Sequence, residues 1–123
     1  MAYQHNADLR SAPAAADQTG KRGYACVVNS SRQAALYTTA GGRGFGVVVE
    51  EATRIGDICT YAVGGVVPVS AGGAFSAGAD LMINAEGQFV VATATNHIVA
   101  VAVETSPGDN AIVSAEIIYR GVA

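Results

Sequence analysis

The sequence predicts an all-β fold, a small barrel or sandwich of short strands behind a flexible N-terminal arm. Three observations carry that prediction. Apolar runs of four to seven residues alternate with Gly-, Asn- and Ser-rich turns, the punctuation of an all-β chain. The apolar excess is in Ala, Val and Gly, small residues that fill a slim β-core and let backbones approach closely. Charge is sparse. Charged residues are 14% of the chain, against about 25% in an average soluble domain. From Ile58 to Val103 there is no Lys or Arg, and the only acids are Asp80 and Glu86. Such a stretch does not build an ordinary solvated face; it forms a tight core, hides against another chain, or does both.

The elements follow in order. Residues 1–20 read as an arm: Ser11-Ala12-Pro13-Ala14-Ala15-Ala16-Asp17-Gln18-Thr19-Gly20 shows no β alternation and little to bury. Residues 21–123 read as one β domain, within reach of a single modest core at a length of 123 residues. Tyr24–Val28 and Ala34–Thr39 flank the turn Asn29-Ser30-Ser31-Arg32 and form a hairpin. Phe45–Glu50 is a strand after the loop Ala40-Gly41-Gly42-Arg43-Gly44. Ile58–Val63 and Val66–Val69 are strands separated by Gly64-Gly65, with Pro68 marking an edge or a strand end because it cannot donate to a ladder. Leu81–Asn84 and Gln88–Ala92 flank Ala85-Glu86-Gly87, a hairpin turn. Ile98–Glu104 and Ile112–Tyr119 close the chain. Two segments echo each other. Gly46–Glu50 runs through Gly56-Asp57 into Ile58–Val63, and Val99–Glu104 runs through Gly108-Asp109 into Ile112–Ile118. Two such similar hairpins would pair comfortably.

Net charge is −3 and uneven. Residues 1–56 hold six basic residues against four acids, and residues 57–123 hold only Arg120 against six acids. That mild asymmetry is far from the basic face of a nucleic-acid binder, and it suits a front half that touches an acidic protein surface. The polar start Met1-Ala2-Tyr3-Gln4-His5-Asn6 lacks the apolar core of a signal peptide, and no apolar run reaches membrane-spanning length. Synthesis in the cytoplasm with Cys26 and Cys59 reduced is the expectation; both lie in β-like runs, as small buried hydrophobes.

Candidate chemistry fails on spacing. Gly42-Arg43-Gly44-Phe45-Gly46 leads into a strand, whereas a phosphate loop leads into a helix N-terminus. His5 and His97, remote from each other and from both cysteines, give no metal spacing. No nucleophile elbow is present. Asp80 and Glu86 are ordinary turn residues beside Gly78 and Gly87 rather than an acid–base pair. The Asn29-Ser30-Ser31 sequon is without meaning in an unsecreted chain. A biotin or lipoate carrier barrel needs a lysine at a hairpin tip, and the single lysine, Lys21, lies near the arm. The residues predict no catalytic, cofactor or metal site.

The order of the glycine turns resembles a known family, the capsid cement or head decoration proteins of tailed bacteriophages. The resemblance runs over about residues 40–120. It rests on Gly64-Gly65-Val66-Val67-Pro68-Val69, Ala71-Gly72-Gly73-Ala74, Ala77-Gly78-Ala79-Asp80-Leu81 and Ala85-Glu86-Gly87-Gln88. Val99-Ala100-Val101-Ala102-Val103-Glu104 and Gly108-Asp109 complete it. One departure is Ala79, between a glycine and an aspartate that are often adjacent in the family. The resemblance implies a non-enzymatic virion protein on the outer surface of an icosahedral head, bound to the major capsid protein as a homotrimer and stabilising the expanded shell. It implies no nucleic acid, membrane or small-molecule substrate. On that reading the arm and its neighbours, Tyr3, Arg10, Lys21, Arg22 and Arg32, are expected to touch the shell. The charge-poor strands, with Val67, Pro68, Val69 and Phe75, are expected to line the trimer. Deleting the arm is expected to spare the fold. A tail-associated β adaptor, or a β-barrel enzyme, are the alternatives that the residues leave open.

Overall fold

A computed structural model of the chain describes residues 5–43 and 46–123. Among these residues nine strands form one sheet: β1 (His5–Pro13), β2 (Ala25–Val28), β3 (Ala34–Leu36), β4 (Gly46–Glu50), β5 (Ile58–Ser70), β6 (Asp80–Ile83), β7 (Phe89–Val91), β8 (His97–Ala102) and β9 (Ile112–Val122). The strand order is β3-β2-β4-β5-β9-β8-β6-β7, with β1 added on β5, and every strand pair is antiparallel. The fold is all-β, and the sheet is open rather than a closed barrel. The two echoing hairpins, β4–β5 and β8–β9, meet through the β5–β9 ladder. Phe45, expected at the start of β4, lies outside the described residues.

The sheet curls round one main core. Val67 and Val69 of β5 pack there with Leu81, Ile83, Phe89, Ala100, Val113 and Ala115 from the strands that follow. A second, smaller core lies on the other face of β2, β4 and the first half of β5: Cys26, Val48, Cys59 and Tyr61, with Ala12, Ala14, Ala34 and Ala52. Neighbouring residues alternate between the two, Ala25 against Cys26, Val47 against Val48, Ala62 against Tyr61. The first half of β5, covered on both faces, reads as an unbroken apolar run, which accounts for the missing charge there.

Gly64-Gly65 does not break β5 into two strands. It changes which face points inward. Ala62 faces the main core from an even position and Val67 from an odd one, so one residue must be taken up between them. Gly65 takes it up at φ 87°, a conformation that side chains with a Cβ rarely adopt. The β1–β5 register shifts at the same place. Pro68 is interior to β5, opposite Ser114. Beyond Val66, β5 has β9 as its only strand partner among the described residues, so the missing N–H falls where no second ladder needs it.

The reading of residues 1–20 as an arm without β structure is corrected. Leu9 to Pro13 pair residue by residue with Ala62 to Ile58. The chain then stays against the second core: Ala14 N–H donates to Asp57 C=O at 2.8 Å, Ala15 N–H to Ala34 C=O at 2.8 Å, and Gln18 N–H to Ala52 C=O at 2.8 Å. Gln18 is buried, its amide donating to Ala34 C=O and accepting from Ala52 N–H. Small side chains are what let this segment lie flat. Its alanines carry little hydrophobic weight singly, and it is held largely by backbone hydrogen bonds.

Candidate functional site

The residues expected to meet a shell are spread over the surface. Tyr3 lies outside the described residues. Arg10 is on β1, opposite Tyr61, with Asp8 at 3.7 Å. Lys21 places its Nζ 4.7 Å from the centre of the Tyr24 ring, a cation–π contact. Arg22 is exposed and shares a shallow hollow with Val49, Glu50 and Glu51. Arg32 sits exposed at φ 60° in the turn after β2, which is fixed by Asn29 Oδ1 accepting from the N–H groups of Ser31 and Gln33 at 3.0 and 2.9 Å.

The residues expected between subunits are placed differently. Val67 and Val69 are fully buried in the main core, and Phe75 is buried with them. Their apolar side chains pack within the protomer. Pro68 is also enclosed, but with Ile112 it lines a hollow that Gly20, Arg22 and Glu51 complete. Thus Arg22 and Pro68, expected on different interfaces, meet at one place.

A surface that the sequence did not point to lies on β1 and β5. In the regular part of their ladder Leu9, Ser11 and Pro13 share one face with Ala62, Thr60 and Ile58. That face closes over the main core at Ala62 and runs out into solvent at its other end. Leu9 is 43% and Ile58 61% exposed, and the Ser11 and Thr60 hydroxyls lie 3.4 Å apart between them. None of these six residues is charged; Arg10 projects from the opposite face. The turn from Arg54 to Asp57 adjoins this end. Asp57 N–H donates to Arg54 C=O at 3.2 Å, and Gly56 at φ 85° makes it a type II turn. The turn is clamped to the end of β1 by Gly56 N–H to Ala14 C=O at 2.9 Å and by Ala14 N–H to Asp57 C=O. At its tip Ile55 is 69% exposed, the most of any large hydrophobic residue among those described. Arg54 and Asp57 pair at 3.3 Å beside it.

A groove of about 430 Å³ runs between the two hairpins, walled by Val47, Val63, Phe89, Val99, Ile117 and Ile118. At its rim the Arg43 guanidinium stacks 4.1 Å from the centre of the Tyr119 ring, and the Tyr119 hydroxyl is 2.7 Å from His97 Nδ1. Ile118, Tyr119 and Val122 remain exposed at this end of β9. The thiols are not poised as nucleophiles. Burial, and then the neighbouring Cys59, push the Cys26 thiol up to about 12, and burial raises Cys59 as well. Asp80, expected as a turn residue, opens β6 and holds Arg120 at 3.0 Å.

Comparison with known proteins adds a structural phage family to this geometry. Residues 11–117 match the family described as phage cement protein. No curated protein matches the chain. Among solved structures the chain is similar to the N base of the head fiber gp8.5 of bacteriophage phi29, with a TM-score of 0.69 over 94% of this chain and 97% of that chain. Identity there is 16%, so this is a likeness of fold.

Proposed function

The chain belongs to the phage cement protein family, and from that premise we propose that it coats the outer surface of an icosahedral head as a homotrimer and holds the expanded shell together. The family match over residues 11–117 is the observation that carries the reading. The surfaces fit it: exposed apolar residues on rigid β elements, and cysteines held as unreactive thiols.

The mechanism is linkage. A protein that binds the expanded shell, and neither its precursor nor its free subunits, stabilises the expanded state by mass action. The partner is the major capsid protein, and no catalytic step or cofactor is involved. Lys21, Arg22 and Arg32 add a weak long-range attraction to an acidic shell, with Arg22 partly offset by Glu50 and Glu51. For self-association the exposed Ile118, Tyr119 and Val122 offer apolar surface at the end of β9.

The test is to strip heads of the phage that encodes the chain, add the purified protein back, and follow head disruption on heating. Decorated heads should open at a higher temperature, and the protein should sediment with heads. Copurification with tails, or equal heat resistance with and without it, would overturn the reading.

A further inference from the structure

We propose that the uncharged end of the β1–β5 face, with the Arg54–Asp57 turn beside it, is the surface that seats on the shell. Ile55 enters an apolar, charge-poor hollow of the major capsid protein, and Leu9, Pro13 and Ile58 flank it. The proposal rests on the cement reading above and names the contact surface within it.

Four observations converge. The two most exposed large hydrophobic residues among those described, Ile55 at 69% and Ile58 at 61%, lie three positions apart at one corner. Pro13, also exposed, is the cross-strand neighbour of Ile58, and Leu9 continues the same face along β1. A shared apolar corner of this kind marks a contact site, whereas single exposed hydrophobics do not.

The corner is also rigid. Ile55 is carried at the second position of a type II turn whose neighbours Gly56 and Asp57 are both hydrogen-bonded to Ala14. A side chain offered on a fixed turn loses little freedom when it is captured.

Charge decides what kind of hollow fits. Leu9, Ser11, Pro13, Ile58 and Thr60 bring no charge, and the Arg54–Asp57 pair beside them, at 3.3 Å, adds no net charge. The matching surface is therefore apolar, lined where it is polar by hydroxyl and peptide groups that Ser11 and Thr60 can meet.

Area decides between the shell and a second copy. The four exposed apolar side chains offer a few hundred Å², against about 800 Å² per partner in a stable two-body interface. That is too little to hold two copies together alone. It suffices as one of several footholds on a repeating lattice, where simultaneous contacts multiply.

The experiment titrates undecorated expanded heads of the phage that encodes the chain. The proteins are wild type, Ile55→Asp, Ile58→Asp, and Val91→Asp on β7 as a control at an exposed position elsewhere. Ile55→Asp and Ile58→Asp should each weaken occupancy by about tenfold or more, with Val91→Asp unchanged and all thermal midpoints near wild type. If Ile55→Asp fails to fold, Ile55→Ser should show a smaller loss in the same direction. Wild-type occupancy by both aspartate variants would overturn this surface and leave the cement reading standing. Failure of wild type to occupy heads would overturn the cement reading itself. Loss of self-association with head binding retained would assign the corner to a second copy and overturn the proposal.

Discussion

At the scale of single residues, a few buried polar side chains tie separate strands together. Gln88 lies just before β7, and its amide donates to Ser70 Oγ at 3.0 Å, Ala71 C=O at 3.3 Å and Asn110 Oδ1 at 2.8 Å. One side chain thus joins the end of β5, the start of β7 and the loop before β9. Gln88→Leu keeps the volume and strands those acceptors, so it should cost about 1–3 kcal/mol, read as a lowered thermal midpoint. A midpoint within error of wild type would show that the acceptors find other donors. The thiols give a second prediction. Cys26 titrates at about 12 in the folded chain against an ordinary value of 9.0. Below pH 9 both states keep the proton and stability is unaffected. Between 9 and 12 the unfolded chain loses it and the folded chain does not, so stability falls as pH rises, by about 1 kcal/mol per pH unit. Denaturant midpoints at pH 8, 9 and 10 should be level between the first two and lower at the third. A thiol reagent at pH 8 should label neither cysteine until the chain unfolds.

At the scale of elements, the sequence was legible at the two short hairpins, where paired apolar runs flank an asparagine or glycine turn. The β2–β3 and β6–β7 hairpins fall within a residue or three of their expected bounds, and the echo of β4–β5 in β8–β9 became a physical junction. It was least legible in two places. Gly64-Gly65 looks like a chain break because two glycines usually make a turn; here they reset the inward face within one long strand. β1 was hidden because its inward residue on the second core is a small alanine, Ala12, and its exposed residues Leu9 and Pro13 give no inside-out alternation. The surface proposed for the shell was hidden for the same reason: Ile55 sits in a turn, where pattern reading looks for polar residues. The consequence for β1 is a reversed expectation. Deleting residues 1–20 would uncover Cys59 and Tyr61, remove Ala12, Ala14 and Gln18, and take away the strand paired along β5. The thermal midpoint should fall by more than about 10 °C, equivalent to roughly 3 kcal/mol, and the Cys59 thiol should become reactive. A truncated chain that melts like wild type would show that the second core closes without β1.

At the scale of the whole molecule, the two candidate forces for holding a shell answer differently to salt. Attraction through Lys21, Arg22 and Arg32 is a surface effect that about 0.15 M salt screens beyond roughly 8 Å. The structure weakens that route further, because Lys21 is stacked on Tyr24 and Arg22 shares its hollow with Glu50 and Glu51. Contact through Leu9, Pro13, Ile55 and Ile58 removes apolar area from water and is indifferent to screening. If the corner holds the shell, occupancy at equilibrium should change less than about threefold between 0.05 and 0.5 M sodium chloride, while the association rate falls modestly as the steering is screened. The charge reversals Lys21→Glu and Arg22→Glu should then slow capture at low salt more than they change final occupancy. Ile118→Asp, if β9 joins the copies, should convert the protein to a monomer by light scattering. It should also weaken head binding by a factor on the order of 10² or more, because the footholds no longer act together. An occupancy that collapses with salt would move the contact from the apolar corner to the basic residues. A variant that is monomeric and still binds at full strength would show that one corner per copy is enough.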